Sequence, residues 1–278
     1  MSSRPEKVHD ALALDDQKCW VGTYGGYLLH SAYQPIVRKS ADDLFQFDGF
    51  EGLIRGDRSG VAVMPDQLFA SVEQGDQLFV HCMCMALHIR NFHLVQPGNG
   101  RIYINNNPDT FGSVESLERE FAYLLPALER NGLRCNQLVL EILEVETLSL
   151  AVLERMIAIV RDAGISLAMD DFGQEFSNFQ RYRKLRPDLV KFDRLLFQNL
   201  KGSKPSRSLL ANMVRTFHEN GTEVLCEGLE TKEDLEVAAL AGFDLFQGYA
   251  ISPPRRLPGM FNGVYPFALA NAVQLSQA

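Results

Sequence analysis

The chain has 278 residues, 46% of them hydrophobic and 22% charged, which is the composition of an ordinary globular protein. Its net charge of −8 argues against a nucleic-acid polymer as partner, because such a partner selects a basic surface, but it is compatible with a small phosphorylated ligand held by local cations or metal. The five cysteines form no dense framework, which favours reduced thiols in a cytoplasmic protein. No apolar run approaches the roughly 18 residues of a membrane span, so we expect no membrane insertion.

The first half of the chain is predicted to alternate between strands and helices. Residues 1–29 are expected to form an N-terminal extension, helical around Pro5–Lys18, ahead of a domain that spans residues 30–278. Two strands with alternating apolar and polar residues then predict a hairpin. In chain order we predict a strand at Ser31–Val37, a strand at Leu44–Ile54, a loop at Gly56–Gly60, a helix over Pro65–Leu94 with a break at Gly75, a strand at Arg101–Ile104, and a helix at Ser116–Asn131 that Pro126 kinks or divides.

The second half repeats short apolar runs followed by longer stretches with helical spacing. A short continuous apolar run is typical of a strand that is buried on both faces. The predicted strands are Gln137–Ile142, Ile165–Met169, Leu189–Phe192, Glu223–Glu227 and Asp244–Gln247. The predicted helices are Leu148–Ala163, Phe176–Lys184, Leu209–Glu219 after a loop at Lys201–Ser206, a helix that Thr231 caps, and a C-terminal helix at Met260–Gln274.

A polar residue stands at the end of almost every predicted strand. Any one of them could cap a helix or lie in a solvated turn, but the arrangement recurs along the chain. Repeated alternation of strand and helix indicates an α/β protein with a (β/α)8 barrel, in which the carboxyl ends of the strands meet at one mouth and form the site. The candidate residues at this mouth are Glu51, Asn105, Glu141, Asp170, Asp171, Lys191, Glu227 and Gln247.

The chemistry of such a mouth is that of a divalent cation site. Adjacent Asp170 and Asp171 repel each other, so a fold that holds both near its core is expected to bring a cation to them. Oxygen ligands without cysteine suit Mg²⁺ or Mn²⁺, and four carboxylates with Asn105 suggest two ions that act on a phosphoryl group. Lys191 then either neutralises a phosphate or accepts a proton. Since a base would need a strongly lowered pKa, we favour a supporting role in which Lys191 orients or polarises the attacking water.

Eight short motifs, in order along about residues 30–257, resemble those of the EAL-domain cyclic di-GMP phosphodiesterase family. Each is weak alone, but together they are specific. They read YQPI at residues 33–36, GFEGLIR at 49–55, IN at 104–105, LEILE at 140–144, DDFG at 170–173, DLVKFD at 188–193, EGLE at 227–230 and QGY at 247–249.

The resemblance implies hydrolysis of cyclic di-GMP to linear pGpG and assigns a role to each matched residue. It gives metal binding to Glu51, Asn105, Glu141, Asp170 and Asp171, with Asp171 shared between two ions. Lys191 and Glu227 would surround the nucleophilic water, and Gln247 would hold the metal shell or the water. Gln34 and Arg55 would contact the dinucleotide. Glu144 would fasten the loop after Asp171, and Glu230 would support the site or bind a guanine.

Three departures from the family pattern bear on this assignment. Gly52 replaces the alanine of the signature, which removes only a methyl group but loosens the backbone. Gly56 stands where an aromatic residue is common. Gln174 and Glu175, in the segment 173–178, replace two small residues of a loop that the family ties to metal occupancy and to the contacts of a homodimer, so rate, regulation and dimer geometry depend on this change.

Two functions are therefore carried forward. We predict an active phosphodiesterase, and the alternative is a catalytically silent cyclic di-GMP receptor or protein-interaction module. Silent members commonly lose metal ligands, whereas every matched ligand position is filled here, which favours the enzyme.

Overall fold

The computed structural model describes residues 5–40, 45–95, 99–143, 149–174 and 179–257. The strands in these ranges are β1 Leu12–Leu14, β2 Trp20–Tyr24, β3 Tyr27–Lys39, β4 Phe45–Arg58, β5 Val61–Val63, β6 Arg101–Asn106, β7 Leu138–Ile142, β8 Ser166–Phe172, β9 Leu189–Phe192, β10 Glu223–Cys226, β11 Leu245–Phe246 and β12 Arg255–Arg256. The α-helices are α1 Pro65–Ala70, α2 Gln77–Asn91, α3 Val114–Arg130, α4 Leu150–Asp162, α5 Phe179–Leu185, α6 Arg194–Leu200, α7 Lys204–His218 and α8 Lys232–Ala241.

A closed barrel forms because β3 pairs with β4 on one side and with β11 on the other. Between them the order is β11, β10, β9, β8, β7, β6 and β4, and all neighbours in that series are parallel. The predicted α/β barrel is confirmed, and so is the predicted hairpin, since β3 is antiparallel to both of its neighbours in the barrel. A reversed first strand is what separates this barrel from one in which all strands are parallel.

Apolar side chains cover both faces of the barrel wall, the inner one and the one toward the helices. Residues that alternate along the strands face inward and fill the barrel with one fully buried layer, made by Ile36, Tyr103, Val139, Ala168, Leu189, Leu225 and Leu245. The intervening strand residues face the helices and join a larger core, for example Ile104, Leu140 and Met169. Strands covered on both faces explain why the apolar runs in the sequence are continuous.

The prediction of a helix around Pro5–Lys18 is wrong. A short 3₁₀ turn at Val8–Ala11 leads into β1, which pairs antiparallel with β2, and β2 pairs antiparallel with the first residues of β3. Gly25 and Gly26 connect β2 to β3 with φ of 54° and 81°, a left-handed pair that makes a tight hairpin turn. The glycine pair was therefore a hairpin signal.

The loop predicted at Gly56–Gly60 is also wrong, because β4 continues to Arg58 and turns at Ser59 and Gly60 into β5. Helix α3 is not divided by Pro126. The carbonyl of Ala122, to which a residue at position 126 would donate, belongs to an exposed residue and can bind water instead.

Helix α7 begins inside the predicted loop at Lys201–Ser206, since Ser203 caps it and accepts a hydrogen bond from the Ser206 amide. Helix α6 had not been predicted at all. The predicted C-terminal helix at Met260–Gln274 lies outside the described residues. Within the described part of the chain, no helix combines the length and the apolar character needed to cross a bilayer.

The end of the barrel opposite the mouth carries a compensated charge network. Arg101 binds the carboxylate of Asp48 through two nitrogens, Nε at 2.8 Å and Nη2 at 2.9 Å. Arg38 donates to Asp48 at 3.0 Å and to Glu223 at 2.6 Å, and the Tyr103 hydroxyl donates to Asp48 at 2.6 Å. Two arginines and two carboxylates balance each other here, so this end needs no further ion.

Candidate metal centre at the barrel mouth

The candidate site residues form a second inward-facing layer, which lies two residues further along each strand than the apolar layer and on the side of the mouth. In six strands the candidate residue follows an inward-facing apolar residue by two positions, so both point into the barrel. The pairs are Tyr103 and Asn105, Val139 and Glu141, Ala168 and Asp170, Leu189 and Lys191, Leu225 and Glu227, and Leu245 and Gln247. Glu51 on β4 is paired with Gln34 on β3 and lies in the same polar layer.

Lys191 stands at the centre of this layer and is 1% exposed. Its Nζ lies 2.7 Å from Glu227 Oε1, 2.8 Å from Glu141 Oε1 and 3.0 Å from Asp170 Oδ1, while Glu51 Oε1 is 3.8 Å away. An ammonium has three N–H donors, and three carboxylate oxygens lie within hydrogen-bonding distance of them. One positive charge therefore faces four carboxylates.

Two amide side chains hold the carboxylate of Glu51. Asn105 Nδ2 donates to Oε1 at 3.2 Å, and Gln247 Nε2 donates to Oε2 at 2.6 Å. Both oxygens are thus fixed by residues from neighbouring positions on the rim, and Glu51 is 8% exposed. This contact confirms that Gln247 lies beside the cluster, as expected from its place at the last barrel strand.

A bulge in β8 brings both aspartates to the mouth. Strict alternation would point Asp171 away from Asp170, but the register against β9 shifts between Met169 and Phe172. Asp171 takes a φ of 53°, a left-handed conformation that is unfavourable for a residue other than glycine. As a result, carboxylate oxygens of Asp170, Asp171 and Glu227 lie within 4.8 Å of one another. The structure therefore groups Glu227 with the aspartates, although the sequence had placed it only beside the water.

Burial and mutual repulsion shift the ionisation of the cluster. The pKa of Glu141 is raised well above its usual value because the side chain is fully buried, and Glu51 and Asp170 add to the effect. Burial, Asp170 and Glu51 raise the pKa of Glu227 to about 8. Burial alone would lower the pKa of Lys191, but Asp170, Glu141, Glu227 and Glu51 together raise it well above its usual value. Lys191 is therefore a cation, and the raised pKa values of Glu141 and Glu227 mean that these two carboxylates favour protonation until another cation is bound.

The residues present fit divalent cations. The donors are carboxylate and amide oxygens, which Mg²⁺ and Mn²⁺ prefer. Glu141 is 0% exposed and its Oε2 has no hydrogen-bond partner within the described ranges. A buried carboxylate oxygen without a partner is costly, and a bound cation would remove that cost.

The expected substrate residues lie around the cluster. Gln34 is buried and donates to the Ser252 carbonyl at 3.2 Å. Arg55 donates to the Ile54 carbonyl at 2.7 Å and forms no ion pair with any described residue, which leaves its guanidinium available to an anion. Glu230 is exposed and forms an ion pair with Arg194, and no contact joins it to the cluster in the described structure. Glu144 lies outside the described residues.

The structure explains why a glycine stands at position 52, which the sequence did not show. A Cβ at this position would lie 2.8 Å from Cγ of His88 and 3.1 Å from its Nδ1. His88 is fully buried on α2, and its Nδ1 lies 3.0 Å from Ser31 Oγ. Gly52 and His88 therefore fill one space together, and the glycine is not merely a lost methyl group.

Two residues support the site through contacts that the sequence analysis did not predict. Asp193 caps α6 by accepting a hydrogen bond from the Leu195 amide at 2.8 Å, and it also accepts one from Gln174 Nε2 at 2.7 Å. Gln174 thereby connects the loop after Asp171 to the residue that follows the strand of Lys191. The signal for Asp193 was available, since an aspartate between a strand and a helix is a typical N-cap.

Comparison with known proteins identifies the sequence pattern independently. Residues 27–254 match the family model of the EAL domain. The chain is similar to the cyclic di-GMP phosphodiesterase NbdA of Pseudomonas aeruginosa, with 28% identity over 262 residues, covering 88% of this chain and 32% of NbdA. It is also similar to the blue light- and temperature-regulated antirepressor BluF of Escherichia coli, with 24% identity over 220 residues, covering 79% of this chain and 52% of BluF.

Among solved structures, the chain is similar to BlrP1 of Klebsiella pneumoniae in a complex with manganese and cyclic di-GMP at pH 9.0. The TM-score is 0.72 with 27% identity, and the match covers 82% of this chain and 56% of that chain. This chain spans 32% of NbdA and 52% of BluF, so it corresponds to a part of each relative.

Proposed function

Since the chain belongs to the EAL domain family, we propose that it is a metal-dependent phosphodiesterase that hydrolyses cyclic di-GMP to linear pGpG. The observation that carries the proposal is the polar layer at the mouth, where four carboxylates surround the single ammonium of Lys191. Carboxylates that outnumber the cations around them four to one suit a site that binds divalent cations together with a phosphate diester.

The metal ligands proposed are Glu51, Asn105, Glu141, Asp170 and Asp171, with Glu227 at their edge, and the ions are Mg²⁺ or Mn²⁺, two in number. When bound, these ions would activate a water molecule and neutralise charge on the phosphoryl group. The chain's own contribution is to fix the ligands in place before substrate arrives, and the amides of Asn105 and Gln247 do this for Glu51.

Lys191 acts as a fixed cation. Its Nζ lies 2.7 to 3.0 Å from three carboxylate oxygens, which keep the amine protonated, so it has no lone pair with which to accept a proton. It keeps Glu141, Asp170 and Glu227 at a common distance and polarises the attacking water. Glu227, the less buried of these three carboxylates, accepts a hydrogen bond from that water and orients it toward phosphorus.

Substrate contacts come from the rim. Arg55 donates to a phosphate oxygen of the dinucleotide, and its lack of an ion pair leaves that interaction open. Gln34, which faces Glu51 across the β3–β4 pair, contacts the same ligand. The roles of Glu144, which would fasten the loop after Asp171, and of Glu230, which would support the site or bind a guanine, rest on the family resemblance alone.

The name of BluF, an antirepressor, favours the alternative of a silent receptor or interaction module. Purified protein incubated with cyclic di-GMP and Mg²⁺ or Mn²⁺ separates the two, with chromatography for pGpG and calorimetry for binding. Formation of pGpG by the wild type and by an exposed control, Glu219→Gln, but not by Glu51→Gln, supports the enzyme. Tight binding without pGpG supports the receptor, and neither binding nor product overturns both.

The cytoplasmic location, the homodimer and the domain division at residue 30 stay predictions. Sedimentation at several protein concentrations tests the dimer. A variant that starts at residue 30 tests the division, and we expect it to fold poorly because β1 and β2 pair with β3.

A further inference from the structure

A second cavity lies on the flank of the barrel, between α2 and α3, with residues 6–9 as a third wall. Its volume is about 760 Å³, within the range of pockets that hold small ligands. None of the residues clustered around Lys191 lines it. We call it the flank cavity and define it by Phe79, Ala86, Ile89, Arg90, Leu124 and Arg130.

The inner surface of the flank cavity is apolar. Phe79 and Ile89 on α2 are buried, Phe121 on α3 is 3% exposed, and Leu124 is half-buried beside it. Aromatic and aliphatic side chains from the two helices thus form a surface that would favour a hydrocarbon chain.

The same cavity has arginines at its edge with no acid to pair with. Arg90 lies over the Trp20 ring at 4.4 Å and contacts His9 Nδ1 at 3.5 Å, but neither Arg90 nor Arg130 forms an ion pair with any described residue. Both arginines line the cavity, and burial together with the positive charge of Arg130 lowers the pKa of Arg90. Of the two carboxylates in the lining, Glu120 accepts from Cys82 Sγ at 3.1 Å, and Glu6 is paired with neither arginine.

A buried polar group in the lining also has a weak partner. Asn106 is 0% exposed, and its Oδ1 lies 3.0 Å from His81 Nε2. Among the residues that the structure describes, its Nδ2 donates to the thioether of Met156 alone, at 3.2 Å, and a thioether is a poor acceptor. An oxygen atom of a ligand would satisfy this amide better than sulfur does.

We propose that the flank cavity binds an anionic amphiphile, with its apolar chain on the surface between α2 and α3 and its carboxylate or phosphate head on Arg90 and Arg130. The charge argument is local, since the protein as a whole has a net charge of −8 and would repel such a ligand elsewhere. The proposal is independent of the activity at the mouth.

Three probes of equal chain length test it in the full chain, with calorimetry as the readout: decanoate and decyl phosphate below their critical micelle concentrations, and 1-decanol below its solubility limit. We expect saturable binding of the anions, at least about tenfold tighter than that of the alcohol. The tighter of the two anions identifies the head group. Equal affinity for alcohol and anions, or no saturable binding, overturns the proposal.

Two pairs of variants locate the site. Ala86→Phe fills the cavity and should remove binding, whereas Ala211→Phe, a half-buried alanine on α7, should not. Arg130→Gln should weaken the anions about tenfold and leave the alcohol unchanged, with exposed Arg183→Gln as its control. Circular dichroism confirms that each variant is folded. Unchanged decanoate binding in folded Ala86→Phe would contradict the assignment.

Discussion

The two ends of the barrel hold charge in opposite ways. At the end opposite the mouth, which we call the closed end, Arg38 and Arg101 form ion pairs with Asp48 and Glu223, and the charges balance. At the mouth, four carboxylates meet one lysine. A balanced network stabilises the fold, whereas the surplus of carboxylates at the mouth is where the proposed cations would bind. The comparison separates residues that hold the barrel together from residues that act on a ligand.

Substitution at the mouth should abolish activity without loss of stability. Glu51→Gln keeps the shape of the side chain but removes a metal ligand, so kcat/KM should fall on the order of a thousandfold. Because one repelling charge is gone, the melting temperature of the metal-free protein should stay the same or rise. Calorimetry and product chromatography on one preparation measure both. A large drop in melting temperature would mean that the mouth is structural.

Substitution at the closed end should lower stability and leave activity unchanged. Asp48→Asn leaves two arginines facing a neutral group and should lower the free energy of unfolding by about 3 kcal/mol. Activity per folded molecule should not change, because Asp48 lies far below the polar layer. Denaturation in urea measures the effect, and Glu219→Gln, from the exposed pair with Arg215, should change it by less than about 0.5 kcal/mol.

The same network predicts how stability depends on pH. Burial would raise the pKa values of Asp48 and Glu223, but hydrogen bonds and charge from Arg101 and Arg38 outweigh it, so both are lowered from usual values of 3.8 and 4.5. A lowered folded pKa gives stability that is fully present above the unfolded value and is lost as pH falls through the folded one. Stability should therefore decline below about pH 4.5. The stability of Asp48→Asn should decline less steeply over the same pH range. An identical slope would mean that Asp48 is not a source of the pH dependence.

Cations should stabilise the protein through the mouth alone. At a hundred times its dissociation constant, Mn²⁺ should add about 2.7 kcal/mol to the free energy of unfolding, and EDTA should remove that gain. The gain should be retained in Asp48→Asn and reduced in Glu51→Gln. If Glu51→Gln gained as much as the wild type, the ions would bind elsewhere.

The smallest expected effect concerns Gly52 and His88. Gly52→Ala restores the alanine of the family but drives a methyl group into the His88 ring, so we expect a loss of about 1 to 2 kcal/mol. Adding His88→Ala removes the ring and should recover part of that loss. If Gly52→Ala alone leaves the free energy of unfolding unchanged, the His88 ring moves aside freely and its fit against Gly52 does not stabilise the fold.

Much of the fold could be predicted from the sequence because most barrel strands are short continuous apolar runs that end in a polar residue. Leu189 and Lys191, or Val139 and Glu141, already show an apolar residue followed by a polar one on the same face of a strand. The ends of strands could therefore be placed before the structure was known, and with them most of the polar layer.

What could not be read depends on contacts between distant parts of the chain. The bulge that turns Asp171 toward the mouth is a register shift against β9, and the Gly52–His88 fit joins β4 to a helix. The strands β1 and β2 were missed because short segments near a terminus gain their structure from β3. The network around Asp48 was missed because Asp48, Arg101 and Glu223 lie near the beginnings of their strands, whereas the sites of α/β barrels lie at the carboxyl ends.

The reversed direction of β3 has a mechanical consequence. The strand that carries Gln34 begins outside the barrel, where it is joined to β2, and only its later part enters the wall. Strand β4 accompanies it along the whole way, since the two strands are paired from Tyr27 opposite Arg58 to Lys39 opposite Phe45. The strands outside the barrel and the residues Gln34 and Glu51 at its mouth are therefore carried by the same pair of strands.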